Sequence, residues 1–416
     1  MTGRRSDLVV VGGGAIGLTV ALYAARAGAR VTVLERAAAT GQGCSACAAG
    51  LLNLTHLAPL ANPASLREGV RSLPRRDGPF HLRPRVALLP WMARFIRSAL
   101  SPARVKAGSD LLHALGVESL RLHAELPRDG VPTGMRRNGI LYACCSPGGL
   151  AELEHQMQAL SPYGIQASML DSGQSRAQEP SLAPSVAGAA LCDEEGHLDP
   201  VCFTRAVSEE AARIGVDIRT RAEVFAAERV GPRITRLETT AGSVCGDTIV
   251  LAAGVDSGWL AGAVGLRLPM EAGKGYYIDL PAAAEDPRQP VYLHEARVVA
   301  TPLGDRLRLA GTFELCGPDE RIDPIRLAAV KRSAQRYLSS IGDRPLRRTW
   351  RGLRPCAPDG LPYLGRAREV QNLIVATGHG MLGLVLAPVT ARIVVRLAQG
   401  RDPGHDLTLT SPDRFA

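Results

Sequence analysis

Two glycine clusters, an arginine and a few aromatic residues have the types and spacing from which a redox site can be built. The first cluster, Gly12, Gly14 and Gly17, has G-x-G-x-x-G spacing. It lies between the β-branched run Val9 to Val11 and a helical stretch opening at Ala15 and Ile16. Gly12 permits a tight turn out of a strand, Gly14 lets a pyrophosphate approach the backbone, and Gly17 lets the helix pack closely on the strand. The start of that helix presents free amides and a partial positive charge to phosphates. A second apolar run, Val31 to Leu34, ends in Glu35 and Arg36. The Glu35 carboxylate suits the hydroxyls of a ribose and repels a 2′-phosphate, which argues against NADP. The spacing alone leaves FAD and NAD both open.

The second cluster repeats this logic near the other end of the chain. Gly378, His379, Gly380, Met381, Leu382 and Gly383 follow a short strand, Leu373 to Ala376, and precede a predicted helix from Leu384 to Ala398. A helix start aimed at a cofactor that becomes anionic on reduction would favour that reduction. His379 therefore reads as a cofactor-side residue. The buried run TIVLAAG offers a further backbone turn at Ala253 and Gly254. Between these motifs stands WRGLRPCAPDGLPYLG, rich in Pro and Gly, which predicts irregular structure. Its Arg354 carries a planar guanidinium suited to bidentate capture of a carboxylate. KGYY, Lys274 to Tyr277, either anchors a strand edge or lines a site for an anionic or amine substrate through Tyr276 and Tyr277. His56, in NLTHLAPLANP, is either a loop histidine or faces the site.

The elements that must position these groups read as α/β, and 416 residues are enough for two domains. The net charge of +9 is carried almost wholly by arginine. No dense basic run or nucleic-acid motif accompanies it. Nine scattered cysteines, an odd number, point to reduced thiols and a cytoplasmic protein. Cys44 and Cys47 make a single C-x-x-C without a second pair, so no metal site is expected. Arg4 and Arg5 ahead of an apolar run imitate a secretory signal, but cleavage there would destroy the nucleotide loop. An amphipathic basic helix is predicted over Arg83 to Gly108, broken by Pro102, with a second helix over Leu111 to Leu126. The apolar face of the first is either core packing or a peripheral membrane contact.

With these residues in view, the chain resembles the FAD-dependent D-amino acid dehydrogenases of small-subunit type, in the wider group of D-amino acid oxidase, glycine oxidase and sarcosine oxidase. The resemblance runs over essentially the full length. It is carried by VVGGGAIGLTVALYAARAGARVTVLE, GCSACAAGLLNLTHLAPLANP, DEEGHLDP, VLAAGVDS, LPMEAGKGYY, WRGLRPCAPDGLPYLGR and ATGHGMLGLVLAP.

The resemblance implies a Rossmann-like FAD-binding domain in three segments, 1–85, 198–264 and 346–416. A smaller domain with an antiparallel sheet, 86–197 and 265–345, would cover the flavin. It implies noncovalent FAD, because Gly352 stands where sarcosine oxidases carry an attaching cysteine. Gly12, Gly14, Ala15, Ile16, Gly17, Glu35, Arg36, Cys44, Ser45, Gly50, Leu51, Val224, Ala253, Gly254 and Gly378 to Gly383 would hold the cofactor. Arg354, as the arginine of G-x-R-P, would bind the substrate α-carboxylate, with Tyr276, Tyr277 and His56 shaping the pocket. The implied reaction is oxidative deamination of an amino acid to the 2-oxo acid by hydride transfer from Cα to flavin N5. A quinone, a partner subunit or O2 would take the electrons. The alternative is the FAD subunit of a hetero-oligomeric dehydrogenase acting on D-hydroxyproline, glycine, sarcosine or an opine. Leu384 departs from the aromatic residue usual after the last glycine of the final motif.

Overall fold

The computed structural model describes residues 6–72 and 77–416, so Arg4 and Arg5 lie outside the described residues. The nucleotide motif folds as its glycines require. The strand Ser6–Val11 turns at Gly12 into the helix Ala15–Arg26, which returns to the strand Val31–Leu34. These strands join a six-stranded sheet in the order Tyr363–Arg366, Leu373–Thr377, Gly246–Leu251, Ser6–Val11, Val31–Leu34, Asp217–Arg219. All neighbours run parallel except the first pair. The central strands are continuous apolar runs because both faces are covered. Helices Ala15–Arg26, Pro200–Arg213 and Ala387–Ala398 contribute Leu18, Leu22, Phe203 and Ile393 to the core on one side. On the other, Val9, Val11 and Leu251 meet Val224, Ile234 and Leu237 of a three-stranded antiparallel meander.

A nine-stranded sheet forms the second body of the fold. Its main path is Arg348–Cys356, Glu271–Pro281, Arg306–Leu315, Val298–Pro302, Val291–Leu293, Ile140–Cys144, Gly188–Cys192, Ser168–Asp171, and Phe80–Leu82 pairs with Arg306–Leu315. Two of these strands, Phe80–Leu82 and Arg348–Cys356, come from segments expected to belong wholly to the nucleotide domain. WRGLRPC, expected to be irregular, is instead a regular strand, because it pairs in continuous register with Glu271–Pro281 from Arg348 to Cys356. On one face the helix Pro324–Gln335 covers Ile278 and Leu280 with Val330 and Ala334. The opposite face meets the loop that leaves the nucleotide strands: Thr301 Oγ1 donates to Ala49 O at 2.8 Å, and Arg308 Nη1 to Ala46 O at 2.8 Å.

Two helix boundaries differ from the sequence reading. Pro102 starts a helix rather than breaking one: Pro102–Glu125 runs for 24 residues with extended Ser101 ahead of it, since proline suits the first helical position. The expected helix at Leu384 begins at Ala387, after turns in which Leu386 N donates to Leu382 O at 2.9 Å. Among the described residues no helix is long and apolar enough to cross a membrane.

Candidate active site

The carboxyl ends of the parallel strands converge on one edge, where open α/β sheets bind ligands. Gly12 sits there at φ +110°, and a Cβ on it would lie 2.4 Å from Ala252 O. The Cβ of a residue at Gly17 would lie 1.9 Å from Gly12 O. By contrast, a Cβ at Gly14 would meet only Ser45 Oγ, at 3.2 Å. The mouth of the turn is therefore open while its back is closed. Ala15 N donates to Ser45 Oγ at 2.9 Å, and the remaining first-turn amides, those of Ile16 and Gly17, have no partner within the helix.

Glu35 Oε2 accepts from Gly13 N at 2.8 Å and Oε1 from Ala37 N at 2.7 Å. This fixes the carboxylate beside the glycine turn, and each oxygen retains acceptor capacity for a ribose hydroxyl. Arg36 is paired with Asp256 at 3.0 Å and ties this strand end to the turn after Gly254. Gly254 is left-handed, and its carbonyl accepts from Thr377 Oγ1 at 3.0 Å. These groups fit the diphosphate and ribose of an adenine dinucleotide. Val224 joins the core beneath this edge, and its neighbour Ala222 bonds through its amide to Glu35 O.

From there the chain enters the C-x-x-C turn. Cys44–Cys47 is a single 3₁₀ turn, and both thiols are free. Burial pushes the Cys44 thiol up to about 12 and raises that of Cys47, so neither is a thiolate at neutral pH. Among the described residues no cluster of three or more metal-binding side chains occurs. Gly50 is left-handed, and a Cβ there would lie 2.3 Å from Leu198 O. Leu51 pairs with His197, so this loop is zipped to the DEEGHLDP segment. Glu195 in that segment accepts from Leu54 N at 2.7 Å, Thr55 N at 2.9 Å and Tyr142 Oη at 2.6 Å.

Arg354 completes the arrangement from the large sheet. Its guanidinium lies across Gly275, where a Cβ would be 2.2 Å from Nη1. Nη1 donates to Thr312 O at 3.1 Å, and the Phe313 ring lies 5.7 Å away. Next to it, Gly352 packs on Cys47, whose Cβ would be 2.5 Å from an added side chain. Gly275 and Gly352 face each other in the strand register, giving a strip without side chains between Arg354 and the C-x-x-C turn.

Tyr276 and Tyr277 separate, as neighbours on a strand must. Tyr277 faces the C-x-x-C turn with Cys47, Ala310 and Trp350. Tyr276 points the other way: its hydroxyl donates to Glu314 at 2.8 Å, in a buried set with Lys274 and Arg326. This corrects the expectation that both tyrosines shape the pocket, and it assigns KGYY both of its readings. Lys274 and Tyr276 anchor the sheet, while Gly275 and Tyr277 face the site.

His379 also turns away. Its ring is buried, with Nε2 3.0 Å from Thr390 Oγ1 of the following helix, and burial draws its pKa down to about 3. Only its backbone belongs to the loop, where it bridges to Cys356 and where Gly380 N donates to Pro355 O at 2.9 Å. Gly378 and Gly380 are left-handed, Met381 is exposed, Leu382 is buried, and Gly383 has only His379 Cβ nearby. His56 lies on the site side, its ring 4.5 Å from Tyr292 and 5.6 Å from Tyr142, with Nδ1 2.9 Å from Asn53 Nδ2.

On this face Tyr277 Oη, Trp350 Nε1, Thr312 Oγ1 and His56 Nε2 are buried without a hydrogen-bond partner among the described residues. Unpaired polar atoms of this kind are what a bound polar ligand would satisfy. Sequence reasoning missed Arg308, which is buried on the same face. It forms a bidentate pair with Asp279, donates to Ala46 O and Ala48 O, and stacks on Tyr277 with Cζ 3.7 Å from the ring centre. The alternation RLRLAG, which places Arg306 and Arg308 on one strand face, was the available signal.

Comparison with known proteins agrees with this geometry. Residues 7–397 match the family model described as FAD dependent oxidoreductase. The chain is 32% identical over 420 residues to a D-amino acid dehydrogenase of Paramagnetospirillum magneticum, covering 98% of both chains. It is 30% identical over 418 residues to a D-amino-acid oxidase of Bradyrhizobium diazoefficiens, again covering 98% of both. The fold superposes on glycine oxidase from Geobacillus kaustophilus with a TM-score of 0.78, at 24% identity and 99% coverage of both chains. A nucleotide edge that fits an adenine dinucleotide, under a sheet that presents an arginine, is thus accounted for: the chain belongs to the FAD-dependent oxidoreductase family that includes the D-amino acid dehydrogenases and oxidases.

Proposed function

We propose that the protein oxidises the Cα–N bond of a D-amino acid, releasing the 2-oxo acid and ammonia. The observation that carries this reading is Arg354 laid over Gly275, with full-length relatives named for D-amino acid oxidation. FAD, when bound, supplies the two-electron acceptor for the hydride leaving Cα. Gly12, Gly14, Ala15, Ile16, Gly17, Glu35 and Ser45 would hold its ADP half. The turns at Cys44 to Leu51, Ala253 to Gly254 and Gly378 to Gly383 would hold the rest.

The chain's own contribution is orientation. Arg354 holds the α-carboxylate and Thr312 O holds Arg354, so the substrate enters with its Cα placed over the glycine strip. Tyr277, Trp350 and His56 close the pocket against water. The substrate amine gives up its proton before the hydride leaves, so no protein base needs to abstract the Cα proton. Anaerobic mixing with D-amino acids tests the reading. Bleaching of the flavin absorbance by D- but not L-isomers is expected, and no bleaching by any amino acid defeats it.

The electrons then pass to an acceptor outside the chain. The exposed apolar residues Val86, Leu89, Ile96 and Leu100 on and around the helix Leu89–Ala99, interspersed with Arg94 and Arg97, support a peripheral membrane surface and a quinone acceptor. Co-sedimentation with anionic vesicles tests this, and an unchanged supernatant at low salt would exclude it.

A further inference from the structure

Arg297 stands in the turn between the strands Val291–Leu293 and Val298–Pro302. Its backbone is left-handed, at φ +52°. Among the described residues only Arg221, Arg297 and Thr312 are non-glycine residues in that region. Two of these three belong together. Val298 pairs with Gly311, so Arg297 and Thr312 each lie one residue beyond the same pair, on adjoining strands. Thr312 offers its carbonyl to Arg354. Strained residues of this kind persist where surrounding structure holds them for a purpose.

The Arg297 side chain is half-buried; burial works against its charge, but a hydrogen bond with the Tyr292 phenol outweighs this and holds its pKa above the ordinary value. Glu68 and Glu152 act on it through space, but among the described residues no carboxylate forms an ion pair with it. The other buried arginines differ: Arg308 is paired with Asp279 and Arg326 with Glu314. With a phenol beside it and no ion-paired carboxylate among the described residues, this guanidinium keeps its positive charge uncompensated, which points to a counter-ion from outside the chain.

Two histidines face the same charge. His56 and His294 both feel Arg297 electrostatically, and His294 is only 2% exposed. The Nε2 atoms of both are buried without a hydrogen-bond partner among the described residues. Asn53 Nδ2 approaches Nδ1 of His56 at 2.9 Å, which makes Nδ1 the acceptor and leaves Nε2 carrying the proton as a donor. Donors and a cation thus gather at one end of a face whose other end is Arg354.

We propose that Arg297, with His56, forms a second anion subsite in the substrate pocket, so that the preferred substrate is a dicarboxylic amino acid. Arg354 takes the α-carboxylate and Arg297 the second carboxylate, borne on the side chain or on an N-carboxyalkyl group. The inference rests on the proposed amino acid oxidation. It adds the substrate class to it.

The test is anaerobic flavin reduction of the FAD-loaded protein by D-glutamate, D-aspartate, D-glutamine, D-alanine, iminodiacetate and sarcosine. A kcat/KM at least tenfold higher for D-glutamate than for D-glutamine supports a side-chain carboxylate. A preference for iminodiacetate over sarcosine by the same margin supports the N-carboxyalkyl class. Arg297→Met should reduce the relevant ratio at least tenfold, and Arg297→Lys should restore part of it. Equal rates with acid and amide, or a ratio unmoved in Arg297→Met, overturn the second subsite while leaving amino acid oxidation intact. No reduction by these compounds overturns the second subsite, and no reduction by any other D-amino acid either overturns both. Flavin content and Tm of each variant separate loss of binding from loss of fold.

Discussion

Arg354 donates to the carbonyl of Thr312 at 3.1 Å while its guanidinium occupies the space that a side chain at position 275 would fill. The arginine is therefore held from two strands, and Gly275 is glycine because Arg354 lies on it. Thr312 can present its carbonyl because the register shifts between Lys274 and Tyr276, where the partner strand carries one extra residue.

The first prediction is that Gly275→Ala preserves the fold and impairs substrate binding. The methyl would meet the end of a flexible side chain rather than backbone, so the guanidinium moves instead of the sheet. A displacement of about 1 Å costs roughly 100-fold in rate for a positioned group. Steady-state kinetics with a reactive amino acid should show kcat/KM reduced by about that factor, with Tm and flavin content near wild type. Unchanged kinetics would show that Arg354 does not hold the substrate.

Arg308 gives the second. It joins Asp279 to the carbonyls of Ala46 and Ala48, and so ties the C-x-x-C turn to the large sheet. Arg308→Leu leaves a buried carboxylate that, among the described residues, only Arg306, at 3.2 Å, still partners. The expected loss of stability lies near the lower end of the roughly 3–5 kcal/mol seen when a buried pair is broken. FAD affinity should fall as well, since the turn loses its anchor. Thermal unfolding and flavin fluorescence titration read the two effects separately. A variant with wild-type FAD affinity would show that the turn does not depend on Arg308.

Tyr276 and Tyr277 should behave oppositely. Tyr276→Phe removes a hydroxyl from buried Glu314, and hydrogen bonds to charged groups contribute about 1.5–3 kcal/mol. Its cost should appear in Tm and not in KM. Tyr277→Phe removes a hydroxyl that has no hydrogen-bond partner among the described residues, so its Tm should hold while KM shifts. The reverse pattern would place the substrate on the wrong face of the strand.

How far the sequence carried this picture follows from where each signal resides. The glycine turn, its helix and Glu35 are encoded within about 30 consecutive residues by local geometry, and they fold as read. Arg354 was legible because an arginine among Pro and Gly is chemically conspicuous. Its strand was not, since WRGLRPC is regular only through its pairing with Glu271–Pro281. The long helix Pro102–Glu125 contains Gly108 and Gly116, whose reason is tertiary. A Cβ at Gly116 would lie 2.1 Å from Leu57 Cδ1, and one at Gly108 2.7 Å from Pro59 Cγ. The facing of Tyr276, the paired strain at Arg297 and Thr312, and the four-part anchoring by Arg308 all depend on contacts between distant segments. No periodicity within one stretch reports these.

The last prediction concerns acid. His123 is buried with Nε2 3.1 Å from Leu384 O, and burial draws its pKa down to about 4. The neutral ring is the native form, whereas an unfolded histidine titrates near 6.5. The unfolded state therefore binds a proton that the native state refuses. This contribution to stability is full above pH 6.5 and is lost as pH falls toward 4, by up to about 1.4 kcal/mol per pH unit. His379, drawn down to about 3, acts in the same sense. Glu195, raised by burial, acts oppositely and gains stability on acidification. The test is therefore the difference between wild type and His123→Gln. From pH 7.5 to 4.5 the wild-type Tm should fall more steeply than that of the variant. Parallel slopes would mean that His123 is protonated within the native protein.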